Sequence, residues 1–264
     1  MTVIKLTIQY DGTNYIGWQR QPRGQGVSVQ QAIEDVLEQL YGEHITLHGA
    51  GRTDSGVHAV GQCASFVPTK PLPVSRVAQA MNNLLPPDIR ISSAVAEAED
   101  FHARFSASGK HYRYIIEQQP SCNAFSYRYA WQLGEKLDVA AMREAAQYLL
   151  GSHDFRHFCA VGSPVKDFVR TIESLQLSEP DFSANDQLWR QMERPLVIDI
   201  CGNGFLYKMV RFIVGRLVAV GRHEIKPQDM AAFLIGEVPK NISVAPALGL
   251  TLVEVRYGGE KIGD

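Results

Sequence analysis

No C-x-x-C pair occurs in this chain, and its four cysteines, Cys63, Cys122, Cys159 and Cys201, stand far apart. That spacing indicates neither a zinc ribbon nor a disulfide framework, so buried free thiols in a reducing compartment are expected. Also missing is any unbroken apolar run long enough to cross a bilayer. The opening MTVIKLTIQYDG reads as a strand and not as a signal peptide, so the expectation is a soluble, cytoplasmic protein. Bulk positive charge is lacking as well: the net charge is −2, which argues against a protein that coats nucleic acid by attraction alone. There is no Gly-x-Ser-x-Gly elbow and no cysteine beside an evident base, which leaves serine or thiol nucleophiles little support.

What is present is a chain of 264 residues, 45% hydrophobic, enough for one large domain or two ordinary ones with a sizeable core. Its charge is unevenly spread. Arg104, Lys110, His111 and Arg113 lie in a stretch without acids, and from Ile200 to His223 the chain carries Lys208, Arg211, Arg216 and Arg222, again without Asp or Glu. Such segments suit either a solvated face or a surface that meets a polyanion.

Hydrophobic periodicity supplies the organisation. Ile4, Leu6, Ile8 and Tyr10 alternate as in a half-buried strand, followed by a turn at Asp11-Gly12. Ser28 with Gln31 forms a capping box, after which Ala32, Ile33, Val36, Leu37 and Leu40 recur on one helical face until Gly42. Strands are expected near 45–48 and 61–67, a helix bearing Val77, Ala80, Met81, Leu84 and Leu85 before Pro86-Pro87, and a strand over 89–95. The same order then recurs: a strand over 112–117, a helix from the Asp138 cap to Gly151, strands near 171–177 and 196–201, a helix over 206–220, a short helix around 228–234 and a last strand over 250–257. This predicts an α+β fold of two tandem βαββαβ (ferredoxin/RRM-like) units, forming a broad, mainly antiparallel sheet with helices packed on one face. The expected division is 1–104 for the N-terminal half and 105–264 for the C-terminal half with additional helices.

Glycines and short polar residues crowd into Gly49-Ala-Gly-Arg-Thr-Asp-Ser-Gly56. No Lys-Ser/Thr ends it and strand character follows it, so it fits neither a P-loop nor a dinucleotide fingerprint. It reads as a tight turn presenting Arg52, Asp54 and His58. Two readings of Asp54 stand side by side: a carboxylate capping its own backbone amides with Arg52 as a screen, or a catalytic group. His153 and His157 have the spacing of two ligands on one helical face, but Gly151 puts them in a loop, without a neighbouring Glu or a third ligand; no metal site is expected. Lys208 and Arg211 share one corner of an otherwise apolar helix, either snorkelling to solvent or pairing with a carboxylate elsewhere.

Several long segments, YDGTNYIGWQRQP, GAGRTDSGVHAVGQ, FHARFSASGKHYRYII, GSHDF, GNGFLYKMVRFIVG and APALGLTLVEVRY, occur in the order found in one family. On these the chain resembles the bacterial tRNA pseudouridine synthase A family over nearly its full length. The resemblance implies isomerisation of uridine to pseudouridine at neighbouring positions of the anticodon stem-loop of tRNA, with no cofactor and no metal. It implies that Asp54 is the catalytic aspartate and that Tyr112 packs against the target uracil. It implies further that Arg211 pairs with the aspartate, and that Arg52 contacts RNA and helps to hold the nucleotide out of its stack. It also implies a homodimer. The basic residues Arg20, Arg23, those of Arg104 to Arg113, and Lys208 with Arg211 then acquire a use in tracking RNA phosphates.

Two other classes remain to be weighed. A non-catalytic RNA binder on RRM-like units would need the Lys/Arg-Gly-Phe/Tyr pattern, which is absent. A nucleoside hydrolase with Asp54 as nucleophile would need a partner acid, and no second carboxylate lies in these motifs.

Overall fold

The computed structural model describes residues 2–22, 24–70, 72–120, 124–162, 165–180, 195–237 and 243–258. Arg23 and Cys122 lie outside them. Along the described chain run ten strands and five α-helices. They are β1 (Val3–Tyr10), α1 (Val29–Tyr41), β2 (His48–Gly49), β3 (His58–Phe66), α2 (Val74–Asn82), β4 (Ile89–Glu97) and β5 (Ala107–Glu117). After these come β6 (Trp131–Gln132), α3 (Val139–Gln147), β7 (Gly151–Asp154), β8 (Val169–Ser178), β9 (Leu196–Gly202), α4 (Met209–Gly221), α5 (Asp229–Leu234) and β10 (Leu250–Tyr257). The class is α+β with mainly antiparallel pairing, as expected.

The chain groups into two compact units, Met1–Lys110 with Thr251–Asp264, and His111–Leu250. β5 runs through the boundary at 110–111, and β10, last in the chain, falls with the first unit from Thr251 on. There the strand order is β4-β1-β3-β10. β1 is antiparallel to both β3 and β4, with Leu6 opposite Ala64 on one side and Ala94 on the other. β10 joins parallel to β3, setting Thr251 opposite His58. The alternation read from the sequence is real: Ile4, Leu6, Ile8 and Tyr10 are all buried, while Lys5, Thr7 and Gln9 between them are not. Helix α1 begins where its cap predicts, the Ser28 hydroxyl accepting the Gln31 N–H at 3.1 Å, and ends at Gly42.

One expected strand shrinks. Around Ile45 to His48 only His48–Gly49 pair in a ladder. The backbone of Leu47 is satisfied by side chains of α1 instead: its carbonyl accepts from Gln30 at 3.0 Å and its N–H donates to Glu34 at 3.2 Å. Apolar Ile45 and Leu47 are therefore buried without being strand residues.

In the second unit β7, β8 and β9 form an antiparallel ladder, β9 lies beside β5, and β6 runs parallel to β5. α3 takes its Asp138 cap as predicted but stops at Gln147, and Gly151 opens β7 instead of closing the helix. α4 starts later than its apolar pattern suggests. Lys208 takes a left-handed backbone (φ 61°) in front of it, so Lys208 is not on a helical face with Arg211. Among the described residues no helix is long and apolar enough to cross a membrane.

Candidate active site

The Gly49–Gly56 segment lies between β2 and β3 in the first unit, and its shape follows from hydrogen bonds to residues far away in sequence. Asp54 opens a four-residue turn in which its carbonyl accepts the Val57 N–H at 3.2 Å. Gly56, third in the turn, has φ +78°, the conformation a type II turn demands there and glycine supplies without strain. On one side of Asp54, buried Thr53 shares a 2.8 Å hydrogen bond with the Tyr10 hydroxyl, and its carbonyl accepts the Trp18 N–H at 3.0 Å. On the other side the Ser55 hydroxyl donates to the Tyr15 carbonyl at 3.0 Å. Burial, partly offset by hydrogen bonds from Thr53 and Gln62, pushes the Tyr10 phenol well above its ordinary pKa, so it stays a neutral hydrogen-bonding group.

Space is as constrained as hydrogen bonding. Gly17, at φ +103°, presses against the loop: a Cβ there would stand 2.7 Å from the Thr53 carbonyl oxygen and 3.1 Å from the Asp54 carbonyl carbon. A side chain at Gly49 would collide with the Trp18 indole. Gln62, fully buried on β3, donates to the Gly51 carbonyl at 3.0 Å. The YDGTNYIGW segment is thus the bed on which GRTD lies. Reading by residue type singled out the loop and missed Tyr10, Gly17, Trp18 and Gln62; the only hint was their presence in the YDGTNYIGWQRQP and GAGRTDSGVHAVGQ segments without an evident task.

The loop's side chains diverge. Arg52 is exposed and Asp54 half-buried, whereas His58 is not presented with them as expected. It is buried at the start of β3, its Nδ1 accepting the Gly12 N–H at 3.1 Å. Lys110 lies close by on the loop's other flank, since a Cβ on Gly51 would meet its amine at 2.7 Å. The acid-free stretch thus supplies a cation beside Gly51 of the loop.

Tyr112 and Arg211 belong to the second unit. Tyr112 is 7% exposed and meets Phe205 edge-on, ring centroids 5.2 Å apart. Its neighbours His111 and Arg113 both hold Asp199 of β9, at 2.6 Å and 2.9 Å. Burial opposes ionisation of Asp199, but the hydrogen bonds from His111 and Arg113 outweigh it and lower its pKa below the ordinary carboxylate value. Arg211, half-buried near the start of α4, donates from Nε to the Ala245 carbonyl at 2.8 Å while its own carbonyl accepts the Ala245 N–H at 3.1 Å. The Tyr114 hydroxyl donates to the Pro246 carbonyl at 2.8 Å, so the APALG segment is laced to both β5 and α4.

Other candidates take structural parts. Arg20 is neutralised by Glu34 at 3.0 Å, with Asp35 nearby at 3.8 Å. His153 shares a 2.7 Å hydrogen bond with the Leu150 carbonyl, and no group of three His, Cys, Asp or Glu among the described residues is placed to hold a metal. Cys63, Cys159 and Cys201 are thiols, not joined in disulfides.

A family model described as tRNA pseudouridine synthase matches residues 6–106 and 145–258. The chain is similar to proteins named tRNA pseudouridine synthase A. The one from Moorella thermoacetica is 44% identical over 259 residues, covering 97% of this chain and 100% of that protein. Those from Syntrophotalea carbinolica and Acetivibrio thermocellus are 42% and 41% identical, each over 97% of this chain and over 97% and 100% of their own lengths. Among solved structures, one titled as a Cbf5-Nop10-Gar1 complex overlaps 94% of this chain and 48% of its own at a TM-score of 0.40 and 10% identity.

Proposed function

The chain belongs to the tRNA pseudouridine synthase family and isomerises uridine to pseudouridine in tRNA, and we propose that its targets lie in the anticodon stem-loop and that Asp54 is the carboxylate on which the reaction turns. Isomerisation breaks the bond between N1 and C1′, turns the uracil, and forms a bond between C5 and C1′. A proton leaves C5 and one arrives at N1, so the atoms balance without a co-reactant. The work for the protein is to expose the nucleotide, supply one ionised carboxylate, and keep the detached base from escaping. A stacked uridine cannot present C1′, so it must be extruded, at a cost of roughly a few kcal/mol that protein contacts offset.

The observation that carries the assignment is the way the loop is built. Thr53 and Ser55, on either side of Asp54, are fastened by hydrogen bonds to the YDGTNYIGW segment, and Gly17 leaves the Asp54 backbone no room to retreat. A group that must meet one atom of a substrate benefits from such fixing, because catalysis is sensitive to displacements of about 1 Å. Arg52, exposed beside it, serves as an RNA contact, and Tyr112 and Arg211 serve in substrate binding, Tyr112 as the ring that packs against uracil. The protein works as a homodimer.

Mapping pseudouridine by position in unmodified tRNA tests the target. Conversion is expected in the anticodon arm and is lost when the arm's uridines are replaced by cytidine; conversion confined to another arm refutes this choice. Sedimentation at several concentrations tests the dimer, and a single species of monomer mass would reject it.

A further inference from the structure

The turn after β4 in the first unit carries a feature that the loop chemistry does not use. Residues 102–106 fold tightly: the Ser106 N–H donates to the His102 carbonyl at 2.9 Å, and the His102 N–H donates to the Ser106 hydroxyl at 3.0 Å. The turn is bolted to the sheet. The Ala103 N–H donates to the Ser65 hydroxyl of β3 at 3.0 Å, and the Tyr257 hydroxyl of β10 donates to the Ala103 carbonyl at 2.8 Å. Phe101 adds a ring contact with Tyr257 at 5.1 Å.

At this anchored turn three rings are in contact in series. His102 meets His48 of β2, with centroids 4.9 Å apart, and Phe105, at 4.4 Å, tilted by 39° and 38°. The Nδ1 of His102 accepts the Arg104 N–H at 3.1 Å, which orients the ring and places its proton on Nε2. Burial first, then the facing His48 and Arg104, lower the His102 pKa, so the ring is neutral at neutral pH. At the end of the series Phe105 is 76% exposed, and the Arg104 guanidinium sits 5.6 Å from its centroid. His48 leads directly into the segment that carries Arg52 and Asp54, and the 101–113 stretch holds no acid.

An exposed flat ring, backed by two more and flanked by an arginine, matches what an unpaired nucleobase and its phosphate require. We propose that the His48–His102–Phe105 series is a base-stacking platform: an unpaired base of the bound tRNA stacks on Phe105 while Arg104 meets the adjacent phosphate. The proposal rests on tRNA being the substrate. It differs from the target pocket, because the platform would hold a nucleotide that is not converted.

The test compares Phe105→Ala and Phe105→Trp in the full chain, with Ile235→Ala, an equally exposed apolar residue of the second unit, as control. Affinity for unmodified tRNA, kcat, KM and sedimentation are measured. Phe105→Ala is expected to weaken binding roughly tenfold to a hundredfold, the range of one base–aromatic stack, with the loss falling on KM more than on kcat. Phe105→Trp restores affinity, and the control binds as wild type does. Unchanged affinity in Phe105→Ala, an equal loss in Phe105→Trp, or a loss that follows a change in sedimenting mass would overturn the platform. A wild-type protein that binds tRNA without converting it would instead contradict the synthase reading, and the affinities would still decide the platform.

Discussion

Replacing Gly17 with alanine perturbs the loop without touching a functional group. Its Cβ would stand 2.7 Å from the Thr53 carbonyl oxygen, whereas ordinary contact begins near 3.4 Å, so something must move by about 0.7 Å. The backbone adds a penalty of its own, since φ +103° is strained for any residue with a Cβ, by about 1–3 kcal/mol. For a chain of this size that lowers Tm by roughly 2–12 °C. If the Thr53–Ser55 segment takes up the shift, and about 1 Å of misplacement costs about a hundredfold, kcat/KM falls roughly tenfold to thirtyfold. Gly24→Ala separates the two effects, because Gly24 has φ +94° with no atom of the described residues within 4 Å of a Cβ. It pays the backbone penalty and displaces nothing. Melting curves and pseudouridine formation under kcat/KM conditions are the assays. Equal stability losses in both variants, with wild-type kcat/KM in Gly17→Ala, would refute the idea that this contact holds Asp54 in place.

Further expectations follow from the second unit and the loop. Asp199 has a folded pKa below the ordinary value, so its pairing stabilises above about pH 4, the unfolded carboxylate pKa, and fades as pH falls through the lower folded value. Asp199→Asn should cost about 1 kcal/mol at pH 7 in urea unfolding and progressively less toward pH 3; a gap that does not narrow sinks the assignment. Arg216 is 6% exposed, with its guanidinium centred 4.0 Å over Phe158 and 4.3 Å over Phe233, and its pKa is pushed down to about 10 by burial. One Nη donates to the His157 carbonyl at 2.7 Å, but the other Nη and Nε find no partner among the described residues. Arg216→Met should therefore leave Tm unchanged or raise it, since unmade buried hydrogen bonds cost about 1–3 kcal/mol each, and a fall of more than about 6 °C would show that the cage contributes more than the unmade bonds cost. Arg52→Gln should weaken tRNA binding and reduce the salt slope of log affinity by about one; an unchanged slope removes Arg52 from the phosphate contacts.

Much of the fold was legible because local chemistry decided it. The Ser28 and Asp138 caps and the alternation of β1 each depend on residues close in sequence, and they appear where expected. What escaped depends on distant partners. Nothing local in Leu250–Tyr257 says that it pairs parallel to β3, and nothing in Ile45 to Leu47 says that its backbone will be satisfied by Gln30 and Glu34. The loop divides in the same way. Glycine and polar content marked Gly49–Gly56 as an unusual turn, but the fixing of Thr53 by Tyr10 and Trp18, and the burial of His58, come from a segment more than thirty positions away. Lys208 shows the limit of helical spacing: a left-handed residue before the first turn breaks a periodicity that sequence alone extends through it.

The most direct test compares wild type and Asp54→Asn in single turnover with tRNA already bound. Asp54 at the centre of the reaction predicts that the variant binds tRNA within a few-fold of wild type and forms pseudouridine at least roughly a thousandfold more slowly. Conversion by Asp54→Asn at a rate near wild type would contradict it.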